Sequence, residues 1–263
     1  MGAQRRGSPG KSGGIGRGQL LLWRGGSAWL GRETGQAGAH AHHAIQVTLA
    51  PRHAVRFRSD ASAPWLEAPA VMVLPHHPHA FDGLGSEVVM LFVEPETIAG
   101  RALIARAAGN GLSTIADPSA LRQADALLQA CVAGADDAAL MRGALALMER
   151  LAGHAPAPAA IDRRITVALD WIHAHLDAPI SLGQAAAVAY LSPSRFRHLF
   201  VAQTGISFRA YLLWSRVRSA IAQGLAGGSW TEAAQQAGFA DSAHLSRTCR
   251  RMFGIAPTAL GRD

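Results

Sequence analysis

"SLGQAAAVAYLSPSRFRHLF", residues 181–200, and "SWTEAAQQAGFADSAHLSRTC", residues 229–249, are two versions of one pattern. At an offset of 48, Ser181 meets Ser229, Ala185 and Ala186 meet Ala233 and Ala234, and Ala189 meets Ala237. One residue is inserted past the turn, so that at an offset of 49 Phe196 meets Leu245, Gly205 meets Gly254 and Ile206 meets Ile255. Each copy reads as a Ser-capped short helix with a small-residue face, a tight turn, and a second helix closed by a glycine. The alanines let the two helices cross closely. That is a helix-turn-helix, present twice, over 181–203 and 229–253.

In the second helix of the first copy, Phe196, Leu199 and Phe200 share one face, while Ser194, Arg197, His198 and Val201 share the opposite one. In the second copy Leu245, Cys249 and Phe253 form the inward stripe. Ser242, Ala243, Ser246, Arg247 and Arg250 are left outward or at the flanks. A single outward Arg/His stripe is usually just a solvated face. Two such stripes, each in a helix-turn-helix frame, point to duplex nucleic acid.

The charge distribution agrees. Residues 160–263 carry eleven basic against six acidic groups, residues 19–159 ten against twelve, and residues 1–18 four against none, within a net charge of +7. A basic module joined to a near-neutral one suggests an anion-binding unit attached to a unit with another task. Lys11 is the only lysine; arginine, which grips phosphates and base edges bidentately, supplies the rest.

Working outward, residues 1–18 are too polar and Gly-rich to bury a core, and read as a disordered basic tail. Between 20 and 95 short apolar pieces, "LLLWRG", "HAIQVTLA", "AVRFRS", "AVMVLP" and "EVVMLFVE", are punctuated by Gly, Pro and Asp, as in a small antiparallel sandwich or barrel. Helical spacing follows in 96–108, 118–133 and 137–153. "HAPAPAA", 154–160, reads as a linker with a domain boundary near 157. Leu127, Leu128, Leu140, Leu145, Leu147 and Met148 exceed what one side of a barrel is expected to cover, which predicts a homodimer through these helices. No run approaches the roughly 18 apolar residues of a membrane span, and no apolar leader opens the chain, so a cytoplasmic protein with no membrane partner is expected. Cys131 and Cys249 have no metal-ligand spacing and read as reduced thiols.

Residues 161–260 resemble the AraC/XylS family of bacterial transcription regulators. The resemblance rests on the doubled motif, the connecting helix "SFRAYLLWSRVRSAIAQGL", and a terminal run with Gly-Phe-x-Asp at 238–241, Ser-Arg at 246 and 247, and Phe-Gly-x-x-Pro at 253–257. Two positions depart from that pattern: Cys249 stands where the family usually has Phe, and Tyr190 where a small residue often supports the first turn. The N-terminal part is similar to the cupin-like effector domain of such regulators, carried by "HAHHAIQ" at 40–46, "LPHHPHAF" at 74–81 and "VVMLFVEPE".

The resemblance implies an α+β chain of two domains. A cupin-like antiparallel β-barrel with flanking helices, residues 19–155, would hold a small-molecule effector and dimerise. An all-α domain with two helix-turn-helix motifs, residues 161–263, would bind operator DNA and, in an activator, contact RNA polymerase. Ser194, Arg195, Arg197 and His198 in the first recognition helix and Ser242, Ala243, Ser246, Arg247, Arg250 and Arg251 in the second are the expected DNA contacts. His40, His42 and His43 are placed on one candidate strand and His76, His77 and His79 on another; of these, His40, His42, His43 and His79, with Gln46, are the expected effector contacts. Three imidazoles on neighbouring strands also suit a metal, but Gln46 falls where a carboxylate would be more usual, so no metal and no cofactor are expected. The alternative reading is a metal-dependent cupin enzyme with an appended DNA-binding domain. No Asp/Glu-His constellation within 20–95 supplies it with catalytic groups, and no catalytic residue is assigned.

Overall fold

The computed structural model describes residues 16–33, 35–107, 109–153 and 160–261. Strands β1 (Gly16–Trp23), β2 (Gly26–Glu33), β3 (Gln36–His40), β4 (Ile45–Leu49), β5 (Val55–Arg58), β6 (Leu66–Ala68), β7 (Ala70–Val73), β8 (His79–Asp82) and β9 (Ser86–Val93) precede helix α1 (Ile98–Arg106) and strand β10 (Leu112–Thr114). Helices α2 (Pro118–Val132) and α3 (Asp137–Ala152) complete the N-terminal unit. The C-terminal unit is α4 (Arg163–Ala174), α5 (Leu182–Val188), α6 (Pro193–Thr204), α7 (Phe208–Leu225), α8 (Trp230–Gln236), α9 (Ser242–Phe253), a 3-10 turn and the short β11 (Leu260–Gly261). The fold is α+β in two domains.

The strands form a seven-stranded sheet, β10-β7-β4-β9-β2-β1-β11, and a four-stranded sheet, β3-β8-β5-β6. The large sheet is covered on both faces, which is why its strands read as continuous apolar runs rather than alternating ones. Along β9, Val89, Leu91 and Val93 join the core beneath α1, α2 and α3, while Val88 and Met90 point between the two sheets. On β4, Ile45, Val47 and Leu49 face the helices. The intervening Gln46 and Thr48 are buried polar residues, with the Gln46 amide donating to Thr48 Oγ1 at 3.1 Å.

Several expectations are corrected here. Strand β1 starts at Gly16, inside the stretch expected to be tail; residues 1–15 and 154–159, most of the expected linker, lie outside the described residues. Leu127, Leu128, Leu140 and Leu147 are core residues against the large sheet, with Leu145 and Met148 half-buried. Those four core leucines serve the fold of one chain, so they do not supply the dimer surface inferred from them. Of the two candidate histidine strands, His40 ends β3 and His79 begins β8, whereas His42, His43, His76 and His77 lie in the connections.

The C-terminal unit has two small cores joined by α7. Phe208, Tyr211 and Leu212 pack with α4, α5 and α6, and Val217 and Ala220 pack with α8 and α9. Leu225 enters the inter-sheet core of the N-terminal unit, where Ile221, Trp230, Ile255 and Leu260 also pack. Strand β11 pairs in parallel with β1. The two units therefore share a core.

Leu147, fully buried, tests the reassignment of the α2–α3 leucines. Leu147→Ala is expected to lower unfolding free energy by about 2–5 kcal/mol in urea melts, through lost burial plus the cavity left behind. The sedimenting mass of the folded protein should not change; a shift to lower mass at unchanged stability would restore the dimer-contact role.

Candidate nucleic-acid interface and inter-domain cavity

Both helix-turn-helix copies are built by the same local devices. Ser181 caps α5 and Ser229 caps α8, each with a complete capping box to Gln184 and Glu232. The second helices, α6 and α9, start at side-chain caps from Ser192 and Asp241 and end at Gly205 and Gly254 in left-handed conformations, φ 77° and 71°. The first helices are held to the second by the buried faces of Ala185 and Ala186, and of Ala233 and Ala234.

On α6, Phe196 and Phe200 are buried and Ser194, Arg195, Arg197 and His198 are exposed. On α9, Leu245 and Cys249 are buried; Ala243, Arg247, Arg250 and Arg251 are exposed, while Ser242 and Ser246 are half-buried. Among the described residues none of these five arginines is in a salt bridge. Their guanidinium groups are available to an external anion. The geometry thus brings together, on two outward helix faces, the residues expected to contact DNA.

The turn of the first copy carries strain that the second avoids. Tyr190 adopts φ 55° and is 94% exposed, where Gly238 in the second copy adopts φ 76°. Left-handed backbone costs a residue with a Cβ about 1–2 kcal/mol, and glycine very little.

A second site lies where the units meet. A cavity of about 110 Å³ is lined from the N-terminal side by Leu20, Trp29, His40, Gln46, Met90 and Phe92, and from the C-terminal side by Trp214, Arg218, Ile221, Cys249, Phe253 and Ile255. Its wall is almost wholly apolar. Burial pushes the Cys249 thiol up to about 12, so it stays protonated there. Arg218 donates to the buried Glu94 carboxylate and to Gly26 O at 2.7 Å, and Trp214 Nε1 donates to the same carboxylate at 3.3 Å. Arg24 pairs with Asp170 across the same junction.

Of the expected effector contacts, His40 and Gln46 line this cavity, and His42 and His79 stand behind His40 in a buried cluster. The β3–β8 register sets His40 directly opposite His79. Burial lowers the pKa of all three, His42 to about 4 and His79 to about 2, so the rings are neutral. His43 points elsewhere: its Nε2 meets Glu96 Oε2 at 2.9 Å, and its ring lies against Tyr211 and Trp214. That His–Glu pair was missed because Glu96 lies just beyond β9 and 53 residues from His43. The Glu94–Arg218 tie was missed likewise, its partners being 124 residues apart without a shared motif.

Parts of the chain are similar to known proteins. Residues 185–263 match the helix-turn-helix domain family. LumQ, a probable transcriptional regulator of Photobacterium leiognathi, is 32% identical over 102 residues, 37% of this chain and 40% of LumQ. The regulatory protein PocR of Salmonella typhimurium is 32% identical over 104 residues, 39% of this chain and 34% of PocR. The chain thus spans well under half of either relative. Two structures of ToxT from Vibrio cholerae superimpose with TM-scores of 0.54 and 0.58 at 10% and 9% identity, over 89% and 90% of this chain and 97% of ToxT. The C-terminal unit holds the matched helix-turn-helix domain, in the doubled form that the AraC/XylS resemblance implied. Over about nine-tenths of its length the chain has the fold of ToxT. Among the described residues no helix is long and apolar enough to cross a membrane.

Tyr190→Gly should relieve the left-handed strain and, after the greater freedom of glycine in the unfolded chain is allowed for, raise stability by about 0.5–1 kcal/mol in denaturant melts. A loss of stability would mean that the exposed tyrosine makes contacts that outweigh its backbone strain.

Proposed function

We propose that this protein is a sequence-specific DNA-binding transcription regulator, rather than an enzyme, and that a small acid with a compact apolar body, held between the two units, acts as its effector. The observation that carries the reading is the repeated exposed Arg/His face, presented twice in the same capped helix-turn-helix frame. LumQ and PocR, named as regulators, support it.

The effector reading draws on the cavity. ToxT has been solved with an unsaturated fatty acid and with (E)-4-(8-methylnaphthalen-1-yl)but-3-enoic acid, both of which join an apolar body to a carboxylate. Here the apolar wall suits the apolar body, and Arg218, whose charge is already matched by Glu94, can offer a carboxylate its remaining N–H donors. At about 110 Å³ the space is of the order that accepts one aromatic ring, an engineered cavity of roughly 150 Å³ being known to take benzene. A ring-sized acid fits better than a long chain. Thermal melts against aromatic carboxylates and their matching alcohols test this: the acids should raise the melting temperature and the alcohols should not. Equal response to both would remove the carboxylate from the reading.

The two recognition helices differ in what they can read. Arg197 and His198 can bond purine N7 and O6, and a good bidentate contact discriminates by about 1–3 kcal/mol per base pair. Ala243 can touch a thymine methyl and Ser246 can form one bond, with Arg247 the only long side chain facing bases. Arg250 and Arg251, in the last turns of α9, are suited to phosphates. With sites selected from genomic fragments, Arg197→Ala should relax preference at one or two positions. Arg250→Ala should weaken binding to all sequences alike and shallow the salt dependence by roughly one unit of slope. Equal loss of sequence preference in both variants would sink this division of labour.

A further inference from the structure

We propose that His40, His42 and His79, with the Gln46 carboxamide oxygen beside them, form a binding site for one divalent transition-metal ion of the kind that prefers imidazole, such as zinc(II). The site lies outside the DNA-contacting faces and does not depend on the identity of the effector.

One ring nitrogen from each histidine lies within 4.8 Å of the others, and all three residues are buried. The ring centroids are 4.2 Å apart for His40 and His79, 5.1 Å for His42 and His79, and 5.7 Å for His40 and His42. Those separations suit three imidazoles meeting at one point. Their orientation is set from outside the cluster. His40 Nδ1 lies 2.7 Å from Gly38 O, His42 Nδ1 2.8 Å from Ala44 O, and His79 Nδ1 2.9 Å from His77 O. A neutral ring donating its Nδ1–H to a carbonyl presents a bare Nε2 lone pair, and this outer contact is what ordinarily fixes a metal-binding histidine.

Among the described residues the lone pair of His79 Nε2 is not matched by a donor: the atom is buried without a hydrogen-bond partner. His42 Nε2 lies 3.0 Å from Gln46 Oε1, an acceptor, because the Gln46 amide nitrogen is turned to Thr48 Oγ1 and Met90 Sδ. His42 thus has an acceptor at each ring nitrogen, and with its proton on Nδ1 the contact to Gln46 sets lone pair against lone pair. A cation receiving both His42 Nε2 and Gln46 Oε1 removes that repulsion; two donors each roughly 2.0–2.2 Å from a shared tetrahedral ion stand about 3.3–3.6 Å apart, so the pair needs to open only slightly. It also gives His79 Nε2 a partner.

The donor set selects the ion class. Neutral imidazole nitrogens with an amide oxygen suit zinc, copper, nickel or iron, and lack the carboxylates on which calcium and magnesium depend. Since His40 and Gln46 also line the inter-domain cavity, the ion would sit in its wall. The sequence reading expected no metal because Gln46 offers no charge; the convergence of the rings is what changes the assignment.

The test uses the full chain without an affinity tag, stripped with a chelator and titrated calorimetrically with zinc chloride above neutral pH, alongside visible spectra after loading with cobalt(II). The parent should bind one zinc per chain and show the intense visible bands of low-coordinate cobalt. His40→Ala and His79→Ala should bind at least about tenfold more weakly and lose those bands. His76→Ala, at an exposed ring near His43 and outside the cluster, should bind like the parent. Should His79→Ala fail to fold by circular dichroism, His40→Ala, at the cavity edge, decides. No saturable zinc site in the folded parent, unchanged affinity in His40→Ala, or loss of zinc in His76→Ala would overturn the assignment.

Discussion

The Glu94 carboxylate, buried just beyond the end of β9, must be neutralised, and the only cation paired with it among the described residues is Arg218, from α7 of the other unit. An unpaired buried charge is among the most destabilising features a fold can contain, so this pair fixes how the two units stand to one another. Tyr211, Trp214, Arg218 and Ile221 occupy one face of α7 at helical spacing and are turned to the N-terminal unit. The remaining faces of α7 hold the cores of both helix-turn-helix copies. One helix thus carries the tie to the sheets and the relative placement of both recognition helices.

The second recognition helix is also coupled to the barrel directly. Gly254, which closes α9, approaches β3 so closely that a Cβ there would lie 2.5 Å from Gly38 O. The preceding Phe253 stacks near His42, Phe92 and Trp214, at centroid distances of 6.0, 6.2 and 5.6 Å. Whatever occupies the cavity or the histidine cluster therefore meets residues one turn or less from the end of a helix proposed to face DNA. Packed cores transmit such displacement because they have few voids to absorb it. This is the physical basis for linking a small ligand to DNA binding.

How much of this was legible in the sequence depended on the range of the interaction. The doubled motif was readable because caps, small faces and glycine stops are local, and Ser181, Ser229, Gly205 and Gly254 all serve as read. The continuous apolar strands β4, β7 and β9 were readable too. Strand β2, "GSAWLGRE", with glycine and arginine in its text, was not, and neither was the short β10. Missing them made the large sheet look too narrow to cover the α2–α3 leucines, so that four core leucines read as surface. The histidines were recognised as a group, yet the chain leaves β3 after His40, sending His42 into the cluster and His43 to Glu96. That divergence, and the Glu94–Arg218 tie, are tertiary facts with no sequence period to announce them.

In the proposed mode of action the junction between the units governs DNA binding from a distance. Glu94→Gln removes the buried charge at the end of β9 without touching either recognition helix, and the measurement is the affinity of the folded variant for the preferred DNA sequence beside that of the parent. A change of at least about fivefold is expected, the lower end of coupling energies of about 1–3 kcal/mol. Identical affinity in a variant with parent-like circular dichroism would contradict it.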